Sequence, residues 1–189
     1  MKYCTPISYG SYTAEDNPDA STRSSGGLEW YYNTGTNLPK KADYSHNSLL
    51  TTLHAGNIVV ERNTVASGIT GHAAIVEGQF WSSTYSMYYI RVIEAISVGV
   101  CRSVMDDERV EVKDAYFYTL ADPDFDASVN SVMWAVKQLG KPYYLHTSGT
   151  STSASHPNWY CSELVYAAYY NQGVNTLSNH NTNAFVYPY

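Results

Sequence analysis

Along the middle of the chain, short apolar stretches alternate with single polar positions and are cut off by Gly, Ser, Asp or Pro. Residues 57–61, 72–77, 88–96, 98–104, 108–112 and 116–120 each form such a β-branched or aromatic run, the pattern of short strands. Their close spacing predicts an antiparallel, hairpin-connected sheet. Over 126–139 the period changes. Val129, Val132, Met133 and Val136 fall at i, i+3, i+4 and i+7, with Gly140 and Pro142 as a stop, which predicts an amphipathic helix. A Ser/Thr-rich loop, 146–157, then leads into a second helix over 158–170, ended by Gly173. Asn158 is the expected N-cap, which puts Cys161 in the first turn on one face with Leu164, Val165 and Ala168. Residues 1–50 carry Gly26-Gly27 and Asp16-Asn17-Pro18 and show no sustained period. They read as an irregular arm that Trp30, Tyr31 and Tyr32 pin to a main domain over 51–189.

Composition narrows the class. A chain of 189 residues, 44% hydrophobic and 15% charged, is long enough for one sizeable core and lacks the signature of disorder. The net charge of −6 with scattered basic residues excludes the electrostatic footprint of a nucleic-acid binder. No stretch reaches the roughly 20 apolar residues of a membrane span, because Arg91 and Glu94 break the densest run at 90–100. Nineteen tyrosines among many Ser, Thr and Asn suggest a secreted or cell-envelope protein. The N-terminus has no apolar signal-peptide core, so the chain reads as cytosolic or as a mature form without its leader. None of Cys4, Cys101 and Cys161 stands in a C-x-x-C spacing, and His54 and His72 lack metal-ligand spacing. No metal and no cofactor are expected.

A thiol in the first turn of a helix feels the positive end of the macrodipole and unsatisfied N–H groups, both of which favour the thiolate. Cys161 has that position, although a lone cysteine is otherwise read as a small buried hydrophobe. Among the histidines, His46, His54, His146, His156 and His180 lie in polar loops or at strand edges. His72 alone opens an apolar run, Ala73-Ala74-Ile75-Val76, directly after Gly71. A strand-borne imidazole that reaches a helix N-terminus is what a Cys-His pair needs. A third group must orient the base. Glu94 is the candidate, since alternation places it with Ile90, Val92 and Ile96, where an unpaired carboxylate would be expensive; Glu77 and Asp114 are rivals. With Cys161 reserved for chemistry, Cys4 and Cys101 are left to pair, and a disulfide between them would tie the arm to the sheet in an oxidising compartment.

The segments Ala55-Gly56-Asn57-Ile58-Val59-Val60, Gly71-His72-Ala73-Ala74-Ile75-Val76, Val92-Ile93-Glu94-Ala95, Gly140-Lys141-Pro142-Tyr143 and Tyr160-Cys161-Ser162-Glu163-Leu164-Val165 occur in a telling order. In that order they resemble the permuted NlpC/P60 proteins of the YiiX/YaeF/YycO type, distant relatives of cell-wall hydrolases. The resemblance covers about residues 50–175; Asn57 stands where relatives often have Asp. It implies an α+β, circularly permuted papain-like fold in which the His and Glu strands precede the Cys helix. It further implies a cysteine amidase or peptidase with Cys161 as nucleophile, His72 as base and then acid, and Glu94 as orienter. Tyr160 and Tyr143, in the same segments, are candidate substrate contacts. The expected partner is a peptide or amide, peptidoglycan-derived in the leading reading. A thioester or lipid acyl hydrolase or acyltransferase of the same fold is a second reading, and a non-catalytic glycan- or protein-binding module a third.

Overall fold

Alternating burial along a strand decides which neighbours each residue meets, and here it sorts the apolar residues into two layers. The computed structural model describes residues 4–6, 30–32, 38–66, 69–120, 125–145, 150–174 and 176. Their elements are β1 (Cys4–Pro6), α1 (Leu49–Thr52), β2 (Ile58–Ala66), β3 (Ile69–Ser82), β4 (Met87–Ile96), β5 (Gly99–Met105), α2 (Asp107–Lys113), β6 (Ala115–Leu120), α3 (Phe125–Val136) and α4 (Cys161–Tyr170). The strands form one six-stranded sheet in the order β1-β6-β2-β3-β4-β5, with every pairing antiparallel.

Ile58, Ala73, Ile75, Ile93 and Ala95 share a core with Ala127, Val132 and Ala135 of α3 and Leu164, Ala167 and Ala168 of α4. The residues between them, Val59, Ala74, Val76, Ile90 and Val92, share the other core with Leu49, Leu53 and Val110. Helices therefore cover both faces of the sheet. Full burial of each such Val, Leu or Ile contributes roughly 1.5–3 kcal/mol, and the double cover explains why β4 is buried at seven consecutive positions.

The turn before β2 fixes α3 and α4 against the sheet. Gly56 has φ 86°, and a Cβ there would come within 2.7 Å of Ser128, so no larger residue fits. Its carbonyl accepts a hydrogen bond from the Tyr169 hydroxyl of α4. Asn57 is structural, its side chain accepting from the His54 backbone N–H at 2.6 Å.

Three expectations are corrected. Residues 108–112, read as a strand, lie in α2. Asp106 caps that helix by accepting from the Arg109 backbone N–H at 3.0 Å, Asp107 and Glu108 occupy its first turn and Lys113 its last, all of which favour helix. Cys4 and Cys101 cannot form a bridge. Cys101 is a free, buried thiol on β5, and Cys4 sits on β1 at the opposite edge, five strand spacings away, on the order of 24 Å. A disulfide needs Cα atoms within about 7 Å. The third correction is the cap of α4, which is Tyr160 and not Asn158. The arm is also less irregular than its sequence: β1 pairs with β6, Tyr31 bridges to Ser103, and Trp30 is buried with its indole N–H on Asp106 at 3.1 Å.

Candidate active site

The β3–β4 ladder ends at Ala74↔Glu94. Past that point, among the described residues, β3 pairs with β2 alone, through Ala73↔Val60 and His72↔Glu61, and β4 with β5 alone, through Ala95↔Val100 and Ile96↔Gly99. The two strands part, and the first residue of α4 meets the parting. Ala73, left outside the β3–β4 ladder, donates its backbone N–H to the Cys161 sulfur, and so does Ser162. Tyr160 makes no side-chain cap bond, so the thiol takes the place at the helix start that a capping oxygen would fill.

The three residues named from sequence come together here. His72 is hydrogen-bonded to Cys161, and its Nε2 bonds Glu94 Oε2, which leaves Nδ1 for the sulfur. His72 and Glu94 are both buried. The rival orienters are committed elsewhere. Glu77 pairs with Arg91 at 2.6 Å and Arg102 at 2.8 Å, and Asp114 with Arg62 at 2.9 Å.

Behind Glu94 lies a residue that the sequence reading missed. Arg109, on α2 and fully buried, forks onto both oxygens of Glu94 at 2.9 Å and reaches Glu61 Oε1 at 2.6 Å with Nε. Its Nη1 also donates to Ser103 Oγ at 2.9 Å and to the Val104 carbonyl at 3.1 Å, and the Ser103 hydroxyl donates to Glu94. Tyr31 lies over the guanidinium, 5.4 Å from ring centroid to Cζ. A bidentate pair fixes a carboxylate in position and orientation. Cys161, His72, Glu94, Arg109 and Glu61 thus form one continuous chain of contacts. The signal for Arg109 was Asp106-Asp107-Glu108, a cap with acids in the first turn, hidden by the two-residue spacing of Val110 and Val112.

Charge follows from this wiring. Burial alone would push the Cys161 thiol up, but the hydrogen bond and charge of His72 and the N–H groups of Ala73 and Ser162 hold it below the ordinary thiol value. Burial would likewise lower His72; Glu94 and Cys161 outweigh it and raise the imidazole to about 10. Burial would raise Glu94, yet Arg109 and then His72 hold it down at about 2. A histidine raised on folding contributes its stabilisation fully below its unfolded value and loses it as the pH climbs through the folded one. The thiolate–imidazolium pair therefore spans neutral pH and dissolves on the alkaline side. Cys101 is the contrast: burial and the neighbouring Glu94 charge push its thiol far up, leaving it inert.

The two tyrosines fare differently. Tyr143 is half-buried and bridges to Trp159, two residues before Cys161, and burial and the Cys161 charge raise its hydroxyl. Tyr160 is corrected: it is fully buried and packs against Tyr166, so its ring faces the interior and not a substrate. Among the described residues no helix is long and apolar enough to cross a membrane. Compared with known families, curated proteins and solved structures, the chain matches no family model, no curated relative and no solved structure.

Proposed function

We propose that this protein is a cysteine hydrolase of the circularly permuted papain-like kind, acting on an amide bond of a peptide. The observation that carries the reading is the Cys161–His72–Glu94 relay, with its thiol at the first residue of a helix and its carboxylate clamped by a buried arginine. The chain order supports it as well, since His72 and Glu94 precede the Cys161 helix, the reverse of the unpermuted order.

In this mechanism the Cys161 thiolate attacks the carbonyl carbon, and the electron pair of the C=O moves onto oxygen. Backbone N–H groups at the start of α4 favour that oxyanion. The oxyanion collapses, the C–N bond breaks, and His72 gives its proton to the departing amine. Neutral His72 then takes a proton from water, hydroxide attacks the thioester, and the acid leaves as thiolate and imidazolium are restored. Glu94 holds the ring throughout. Tyr143 flanks the site as a substrate contact. The resemblance and the hydroxyl-rich composition favour peptidoglycan-derived peptides as substrates and a secreted or envelope location.

Trapping the intermediate tests the reading. Protein quenched with acid during turnover of muropeptides or model amides should carry the acyl group on the peptide containing Cys161, seen by mass spectrometry. Turnover with the acyl group on another residue, or no turnover and no adduct across acyl donors of amide and ester type, would reject it. The mass of a trapped group also separates a peptide from a lipid acyl donor.

A further inference from the structure

Away from the relay, two segments far apart in the chain bring Asp43, His46 and Asp107 together, with one ligand-type atom of each within 4.8 Å of the others. Acidic clusters are common, and this one stands out for a second reason. Asp107 is fully buried, and its Oδ2 is taken by the backbone N–H groups of His46 at 2.7 Å and Asn47 at 3.1 Å. Its Oδ1 is equally buried and has no partner among the described residues. A buried carboxylate oxygen left unpaired is costly unless a cation or donor meets it. The neighbouring Asn47 carboxamide is also buried, and among the described residues neither its oxygen nor its nitrogen is bonded.

Two cations that flank the cluster in the chain are engaged elsewhere: Lys40 holds Glu108 at 2.6 Å, and Arg109 holds Glu61 and Glu94. Asp106 adds a third acid beside the cluster and serves as the cap of α2. The first two ligands are positioned by their own turn. Asp43 Oδ1 accepts from the Ser45 N–H at 3.0 Å and its hydroxyl at 2.7 Å, and that hydroxyl lies 2.9 Å from His46 Nδ1. His46 is exposed, which gives an ion a way in.

We propose that Asp43, His46 and Asp107 bind a divalent cation of the zinc type. The donor set decides the metal. Two carboxylates and one imidazole suit Zn²⁺, whereas Ca²⁺ and Mg²⁺ prefer all-oxygen shells. Three protein ligands leave a fourth position for water or the Asn47 oxygen. The ion clamps the segment around 43–47 onto the start of α2, the helix that carries Arg109 to Glu94. Its role is thus to hold the positioning arm of the relay, and it stands apart from the chemistry at Cys161.

The test is titration of Zn²⁺ into chelator-treated protein, followed by calorimetry and thermal unfolding. Cys161→Ala serves as background, so that the thiol and His72 cannot supply a competing site. One equivalent should bind and raise the unfolding temperature, and Mg²⁺ at a large excess should not displace it. His46→Ala, an exposed change that leaves the fold intact, should weaken binding about tenfold or more and abolish the thermal shift; Asp107→Asn should do the same. Absence of Zn²⁺ binding, or binding that His46→Ala leaves unchanged, would overturn the proposal.

Discussion

Replacing Cys161 with Ala is expected to bring amide hydrolysis down to the uncatalysed background, a loss of several orders of magnitude in kcat. The side chain removed is small and partly exposed, so the unfolding temperature should move by only a few degrees. His72→Ala should reduce the rate by about 10²–10⁴, the range for a lost general acid–base, and should add little in the Cys161→Ala background, because the two residues act as a unit. Steady-state kinetics on the substrate that acylates Cys161, with circular dichroism as the folding control, checks both. A Cys161→Ala protein that retains measurable turnover would remove the covalent route.

Arg109→Met should cost stability on the scale of a broken buried charge pair, about 3–5 kcal/mol. The reason is accounting of charge. Glu61 and Glu94 are buried against the same guanidinium, and methionine fills its volume without its charge. The deficit should depend on pH. In the wild type the Glu94 carboxyl is held at about 2, so its favourable contribution is complete above the unfolded carboxylate value and disappears as the pH falls through the folded one. The variant lacks that contribution, and the gap to wild type should be widest at neutral pH and narrow toward pH 3. Adding Glu61→Gln and Glu94→Gln should recover part of the loss, since a neutral amide is less costly to bury than an unpaired charge. Urea unfolding followed by the fluorescence of buried Trp30, Trp134 and Trp159 measures each difference. Arg62→Ala, which breaks an exposed pair with Asp114, should be nearly silent.

How much of this was legible from sequence depends on whether the signal was local. Alternation gave away β2 to β5 and β6, because each run keeps a period of two between turn residues. The body of α4 was legible from an equally local signal, the shared face of Cys161, Leu164, Val165 and Ala168 ahead of Gly173, as was the choice of His72, the one imidazole at the head of an apolar run. Glu94 followed from burial: a carboxylate among Ile90, Val92 and Ile96 needs a partner. What failed was non-local or ambiguous. In 108–112 the apolar residues Val110 and Val112 carry a period of two, but the Asp106 cap and the acids after it outweigh so short a pattern. Reading a strand there hid Arg109, and with it the anchor of the relay. Asn158 has good capping chemistry, yet the chain enters helix only after Tyr160, whose backbone is extended at φ −104° and ψ 169°. The partner of Cys4 was assigned by elimination among three cysteines, whereas strand order, which no cysteine count reports, puts it at the far edge from Cys101. The Asp43–His46–Asp107 cluster escaped notice because its residues come from the arm and from α2.

The central claim is that Cys161 is a thiolate sustained by His72, and the pH dependence of its alkylation by iodoacetamide, read by mass spectrometry in wild type and His72→Ala, tests that most directly. The relay predicts that wild-type labelling rises through an inflection below that of an ordinary thiol, near 8.5, and stays fast at neutral pH while buried Cys101 goes unlabelled. In His72→Ala the inflection should move up and neutral-pH labelling should slow. A wild-type profile that matches free cysteine and does not change on removal of His72 would contradict the account.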